Sequence, residues 1–266
     1  IKTLMVMNNL RVNHLNLNFN TNLSDSYKSN SQKIRVMSEA WVADSIFCPS
    51  CGGDLSSYEN NRPVADLFCA KCKEDYELKS KKNNLGNKIN DGAYQTMYDK
   101  VSLNQQPSFF FLSYRKNELS VNNFMVVPKP FFRTEMIEKR KPLSSEAKRA
   151  GWTGCNILFN SIPESGKIFY IKDGIVEPKN KVIDSWAKTI FLRPIDSTQK
   201  GWLLDIMNIV EKLNKKSFAL RDVYGFVEYL KIKHPENNNI EAKIRQQLQV
   251  LRDSGYLKFT TRGLYE

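Results

Sequence analysis

The sequence predicts a mixed α/β (α+β) chain in two parts, 1–195 and 196–266, and three observations carry that prediction. Two Cys-x-x-Cys pairs, Cys48–Cys51 and Cys69–Cys72, stand seventeen residues apart. In the first part, apolar and β-prone runs ("SFFFLSY", 108–114, and "NNFMVVPK", 122–129) alternate with helical patterns. In the second part the pattern changes to three helices and a terminal hairpin.

With 266 residues, 41% of them hydrophobic, the chain is long and apolar enough to bury a real core. Forty Lys and Arg against 28 Asp and Glu leave a net charge of +12, which favours a polyanionic partner. No run of about 18 apolar residues is present, so no membrane span is expected. The opening "IKTLMVMNNL" has a short apolar stretch and no small-residue cleavage site, so a cytoplasmic location is expected.

Along the chain, "SNSQKIRVMSEAWV" (29–42) places Ile34, Met37 and Trp41 at helical spacing behind a Ser/Asn cap. The two cysteine knuckles then match a zinc ribbon over 48–72, in which each pair offers two thiolates to one tetrahedral Zn²⁺. Four thiolates close the coordination sphere, so the zinc would be structural. Two disulfides are the competing reading and need an oxidising compartment. Cys155 reads as a small packed residue.

Val64, Leu67 and Phe68 around Asp66, and Tyr76 and Leu78 around Glu77 and Lys79, read as two short strands joined through the second knuckle. Residues two apart on a strand share a face, so Glu77 and Lys79 point together and Leu78 points the other way. Two carboxylates and a lysine on one face suit metal-assisted phosphodiester hydrolysis: the carboxylates hold Mg²⁺ and the lysine orients water or lowers its pKa. A plain exposed strand with a Glu–Lys pair has the same appearance. "INDGAYQTMYDKV" reads as a helix capped at Asn90 or Asp91. "RTEMIEKRKPLSSEAKRAGWTGCN" (133–156) is basic, and its Arg149 and Trp152 suit phosphate and base contacts or, for the Trp, simple packing under a loop.

A break is expected near 192–202, followed by helices at 202–213, 219–233 and 239–253. In the last of these, Ile240, Ile244, Leu248 and Leu251 form one stripe, with Arg245, Gln246, Gln249 and Arg252 off it. Gly255 ends the helix and Tyr256–Phe259 pairs with Leu264–Tyr265 across Thr261-Arg262-Gly263. Three helices and a hairpin make a winged helix, whose third helix enters the major groove with Arg and Gln chemistry suited to base edges.

Pro63…Asp66…Glu77-Leu78-Lys79 resembles the PD-(D/E)xK nuclease signature, with Val-Ala inserted between the Pro and the Asp. Together with "YKSNSQK", "ENNRPVAD", "ELKSKK", "INDGAY", "KRAGW" and "AKIRQQLQVLRD", it makes the chain from about residue 27 onward similar to the DpnI-like family of methyl-directed type II restriction endonucleases. The resemblance implies a PD-(D/E)xK core with an embedded four-cysteine zinc site, followed by a winged-helix domain, both reading methylated DNA. It implies Asp66, Glu77 and Lys79 as the catalytic set, and Mg²⁺ on Asp66, Glu77 and the main chain of Leu78. It further implies DNA contacts from Lys81, Lys82, Arg149, Trp152, Lys243, Arg245, Gln246, Gln249 and Arg252. The expected substrate is double-stranded DNA with N6-methyladenine in a short GATC-like site, cut by a monomer. The alternative is a non-catalytic zinc-ribbon and winged-helix regulator of DNA.

Overall fold

The computed structural model describes residues 15–58, 65–261 and 263–266. Pro63, Val64 and Arg262, named above, lie outside the described residues, as does the segment 1–14. The chain divides into two compact units, the first running to Ser161 and resuming over Ser165–Ala187, the second made of Ile162–Glu164 and Lys188–Glu266. Among the described residues, no helix is long and apolar enough to cross a membrane.

The first unit is built on a seven-stranded sheet. Its strands are β1 (Ser56–Ser57), β2 (Leu67–Phe68), β3 (Asp75–Lys82), β5 (Ser108–Arg115), β6 (Ser120–Val127), β9 (Ile168–Lys172) and β10 (Ile175–Val176), adjacent in that order. All neighbours are antiparallel except β3 and β5, which run parallel in register from Tyr76↔Ser108 to Lys82↔Tyr114. Every residue of β5 but the last is buried, because its Phe-rich run is covered on both faces. Phe110 and Leu112 enter a core with Tyr76, Phe124 and Tyr170. Helices α1 (Asn30–Ser45) and α3 (Lys179–Ala187) close that core through Met37, Trp41, Val182 and Trp186. Tyr76 stacks on Phe110 at 4.5 Å and Trp41 meets Phe124 edge-on at 5.6 Å. Burying each such ring stabilises the unit by about 1.5–3 kcal/mol. Phe109 and Phe111 face the other way, against Phe132 and Phe159.

A second sheet orders β4 (Lys88–Ala93), β8 (Gly154–Leu158) and β7 (Ile137–Lys139). This corrects the expectation of a helix over 89–101. "KINDGA" is a strand that buries Ile89 against β8, and helix α2 (Tyr94–Ser102) begins only after it. Its N-cap position is Ala93, so neither Asn90 nor Asp91 caps it. The helical spacing that suggested it is real from there on, with Met97 and Val101 buried.

The second unit holds α4 (Ser197–Leu213), α5 (Leu220–Tyr224), α6 (Val227–Lys233), α7 (Ile240–Asp253) and a small sheet of β11 (Phe218–Ala219), β12 (Phe259–Thr261) and β13 (Leu264–Tyr265). The first helix starts earlier than the expected 202, so the second half of the 192–202 break is helical. The helix expected at 219–233 is two helices, interrupted at Gly225 and Phe226, with Val223 and Leu230 buried. In α7 the buried set is Ile240, Ile244, Leu248 and Leu251 with Gln247 added. Gly255 follows with φ +76°, the left-handed conformation that a helix end requires and glycine adopts at least cost. This is a C-terminal helical helix-turn-helix domain with a hairpin wing.

Candidate active site and metal centre

Each Cys-x-x-Cys segment folds as a tight turn. Gly52 N–H donates to Cys48 O and Lys73 N–H to Cys69 O, and Gly52 and Lys73 take positive φ. The turns bring all four sulfur atoms within 4.8 Å of one another, with Cys48 to Cys72 at 3.4 Å and Cys51 to Cys69 at 3.5 Å. None is in a disulfide, and a four-thiol cluster of this kind fits the soft, tetrahedral demand of zinc. Burial pushes the Cys48 thiol up. Burial also acts to raise Cys69, but main-chain amides of Cys72 and Lys71 and the neighbouring thiols outweigh it and lower this thiol to about 7. Tyr76 Oη lies 3.1 Å from Cys48 Sγ, tying the cluster to the strand that follows.

That strand is β3. The second knuckle connects β2 to β3, and Asp66 sits just before β2, its N–H bonded to Tyr76 O. The Asp66 carboxylate accepts from the Leu78 N–H at 2.7 Å. Glu77 and Lys79 project together: Lys79 Nζ donates to Glu77 Oε1 at 2.5 Å and also forms an ion pair with Asp91. Leu78, Ser80 and Lys82, on the alternate side of the strand, line a cleft of about 450 Å³ with Ile34, Arg35 and Glu39. Burial pushes the Glu77 carboxyl up, partly offset by Lys79. Burial pulls the Lys79 ammonium down, but Glu77 and Asp91 more than offset it and hold it above its ordinary value. Glu39 is engaged by Arg35 at 2.7 Å, and its carboxyl is also raised by burial.

Asp91 is the member that sequence reading missed. Its side chain is only 4% exposed, and it comes from β4 in the other sheet. The signal available was a strand-poor "NDG" in an otherwise structured stretch, which read more simply as a helix cap.

The cations expected at DNA differ in their surroundings. Lys81 Nζ donates to Leu85 O and Lys88 O at 2.6 and 3.0 Å, whereas Lys82 is exposed on the cleft. Arg149 lies over the Trp152 ring at 4.7 Å, and that ring packs over Gly154, where an added Cβ would meet it at 2.9 Å. On α7, Arg245, Gln246 and Gln249 are exposed, and Lys243 and Arg252 are half-buried. Arg245 donates to Tyr224 Oη at 2.5 Å, and Arg252 pairs with Asp253 at 2.7 Å.

Comparison with known families matches both parts of the chain. Residues 15–195 match the DpnI model, described as the Dam-replacing family, and residues 198–266 match the Dam-replacing HTH domain of the same family.

Proposed function

Since the chain belongs to the DpnI, Dam-replacing family, and so to methylation-dependent restriction enzymes acting on DNA, we propose that it is a type II endonuclease. In this reading it hydrolyses duplex DNA at a short GATC-like site carrying N6-methyladenine. Asp66, Glu77 and Lys79 form the catalytic set, within an N-terminal catalytic domain (1–195) that precedes the winged helix (196–266). The observation that supports it is the gathering of Asp66, Glu77 and Lys79 around residues 77–79, in the middle of β3, in a chain of this family.

The donor sets suit two different ions. Four close thiols fit a structural Zn²⁺. The Asp66 and Glu77 carboxylates, with the main chain of Leu78, offer the hard oxygens that Mg²⁺ prefers. When bound, Mg²⁺ would neutralise charge developing on the phosphate and lower the pKa of a water. The chain supplies the rest. The Leu78 N–H fixes the orientation of Asp66. Lys79, held protonated by its two carboxylate partners, is a donor and not a base. It orients the attacking water and opposes negative charge on the scissile phosphate. Products carry 5′-phosphate and 3′-hydroxyl ends. Lys82, Arg149 and Trp152, with Lys243, Arg245, Gln246, Gln249 and Arg252 on or beside the exposed face of α7, are the proposed DNA contacts.

Digestion of plasmid from adenine-methylating and non-methylating hosts, with Mg²⁺ or EDTA, tests the reading. Wild type should cut only methylated plasmid with Mg²⁺, and Asp66→Ala should not cut. Methylated plasmid left intact by wild type, or cut equally well by Asp66→Ala, would refute it.

A further inference from the structure

The Lys79 ammonium is enclosed more tightly than its catalytic assignment requires. Glu77 Oε1 is on one side at 2.5 Å, Asp91 Oδ1 on another, and the Phe109 ring lies 5.9 Å away. The lysine side chain is 18% exposed. Asp91 is more buried still, and it comes from a strand that is a poor host for it. "NDGA" combines residues that disfavour strands, and the pairing of β4 with β8 shifts register between Asp91 and Ala93. Such irregularities re-aim side chains next to functional sites. On its far side Asp91 meets the Cys155 sulfur, 4.0 Å from Oδ2. A carboxylate buried there is tolerable because a cation meets it.

We propose that Asp91 is a positioning residue for the cleavage reaction: it retains the Lys79 ammonium, so that Glu77 is free to turn its oxygens to a cation while Lys79 stays aimed at the scissile phosphate. The proposal rests on the assignment of Asp66, Glu77 and Lys79 made above. Its logic is charge exchange. Without a cation, Lys79 pairs with Glu77 and Asp91 together, one positive charge against two negative. When a divalent cation is held by Asp66 and Glu77, the lysine would be repelled from Glu77, and Asp91 keeps it in place. Removing Asp91 therefore leaves Lys79 to compete with the cation for Glu77 or to swing away from it.

The test compares full-length wild type, Asp91→Asn and Asp91→Glu by two readouts. One is single-turnover cleavage of adenine-methylated plasmid at saturating Mg²⁺. The other, on metal-free protein, is the nitrogen-15 NMR signal of the Lys79 ammonium, visible only where firm hydrogen bonding slows proton exchange. Asp91→Asn should cleave roughly 100-fold more slowly and lose the Lys79 signal while binding DNA in EDTA as wild type does, and Asp91→Glu should recover the rate to within about tenfold. A wild-type rate and an unchanged Lys79 signal in Asp91→Asn would overturn the proposal. If Asp91→Asn does not fold, Asp91→Glu decides: a rate within about tenfold of wild type supports the proposal, and a folded but inactive protein overturns it. Failure of both variants to fold makes Asp91 a residue of the fold and also overturns it. If wild type leaves the plasmid intact, the nuclease reading fails separately, and the NMR comparison still decides whether Asp91 fixes the ammonium.

Discussion

Lys81 and Lys82 are adjacent in a run of positive charge, yet their ammonium groups meet different surroundings. Lys81 bridges two main-chain carbonyls, Leu85 in the turn after β3 and Lys88 at the start of β4, and Lys82 faces the cleft beside Arg35. Lys82→Ala should lower the salt slope of DNA binding by about 1, the signature of one lost phosphate contact. Lys81→Ala should leave that slope unchanged and cost about 1–2 kcal/mol of stability in a urea titration. The sequence could not separate the two, because alternation places side chains on faces without saying which carbonyls a turn will offer. It did reveal the Glu77 and Lys79 face, which follows from strand period alone. Asp91 escaped for the opposite reason: what positions it is pairing with Cys155, distant along the chain, and no local pattern encodes that partner.

Elements were legible where apolar spacing dominates and illegible where tertiary pairing decides. Helix α1, strands β5 and β6 and the stripe of α7 follow directly from their patterns. The sheet of β4, β8 and β7 does not, since its strands are short and their pairing joins segments distant along the chain. In the C-terminal unit the break between α5 and α6 was hidden because the apolar residues on either side keep a helical rhythm through Gly225. The stripe of α7 should behave as core: Leu248→Ala is expected to cost about 2–5 kcal/mol, measured by chemical denaturation. At the start of α5 the Asp222 carboxylate accepts from the Ala219 N–H at 2.8 Å and pairs with Lys215 at 3.2 Å. That main-chain bond, then Lys215, lowers the Asp222 carboxyl below its ordinary value. A lowered folded-state value means stability that is present above the ordinary carboxylate range and lost as pH falls through the folded value. Asp222→Asn should therefore lower the melting temperature at neutral pH and matter progressively less as pH falls below about 4, which flattens the acid limb of the melting curve.

Across the whole chain, two ions with different duties should be separable by experiment. About one Zn²⁺ per chain is expected, and stripping it with a strong thiol-competing chelator should lower the melting temperature of the unit that holds the cysteines. Mild EDTA that removes only Mg²⁺ should stop cleavage and leave melting nearly unchanged. Calorimetry with parallel metal analysis checks both, and stoichiometric disulfides would count against the zinc. The parallel pairing of β3 with β5 has a further use. Parallel neighbours need a long crossover, and here that crossover, residues 83–107, is itself the segment that carries Asp91. Cutting the chain at the exposed Gly86–Asn87 turn would leave Glu77 and Lys79 on one fragment and Asp91 with β5 on the other. Neither piece alone would cleave, and mixing them would restore cleavage only as strands reassociate, so this crossover marks where the nuclease could be converted into a two-part reporter of proximity.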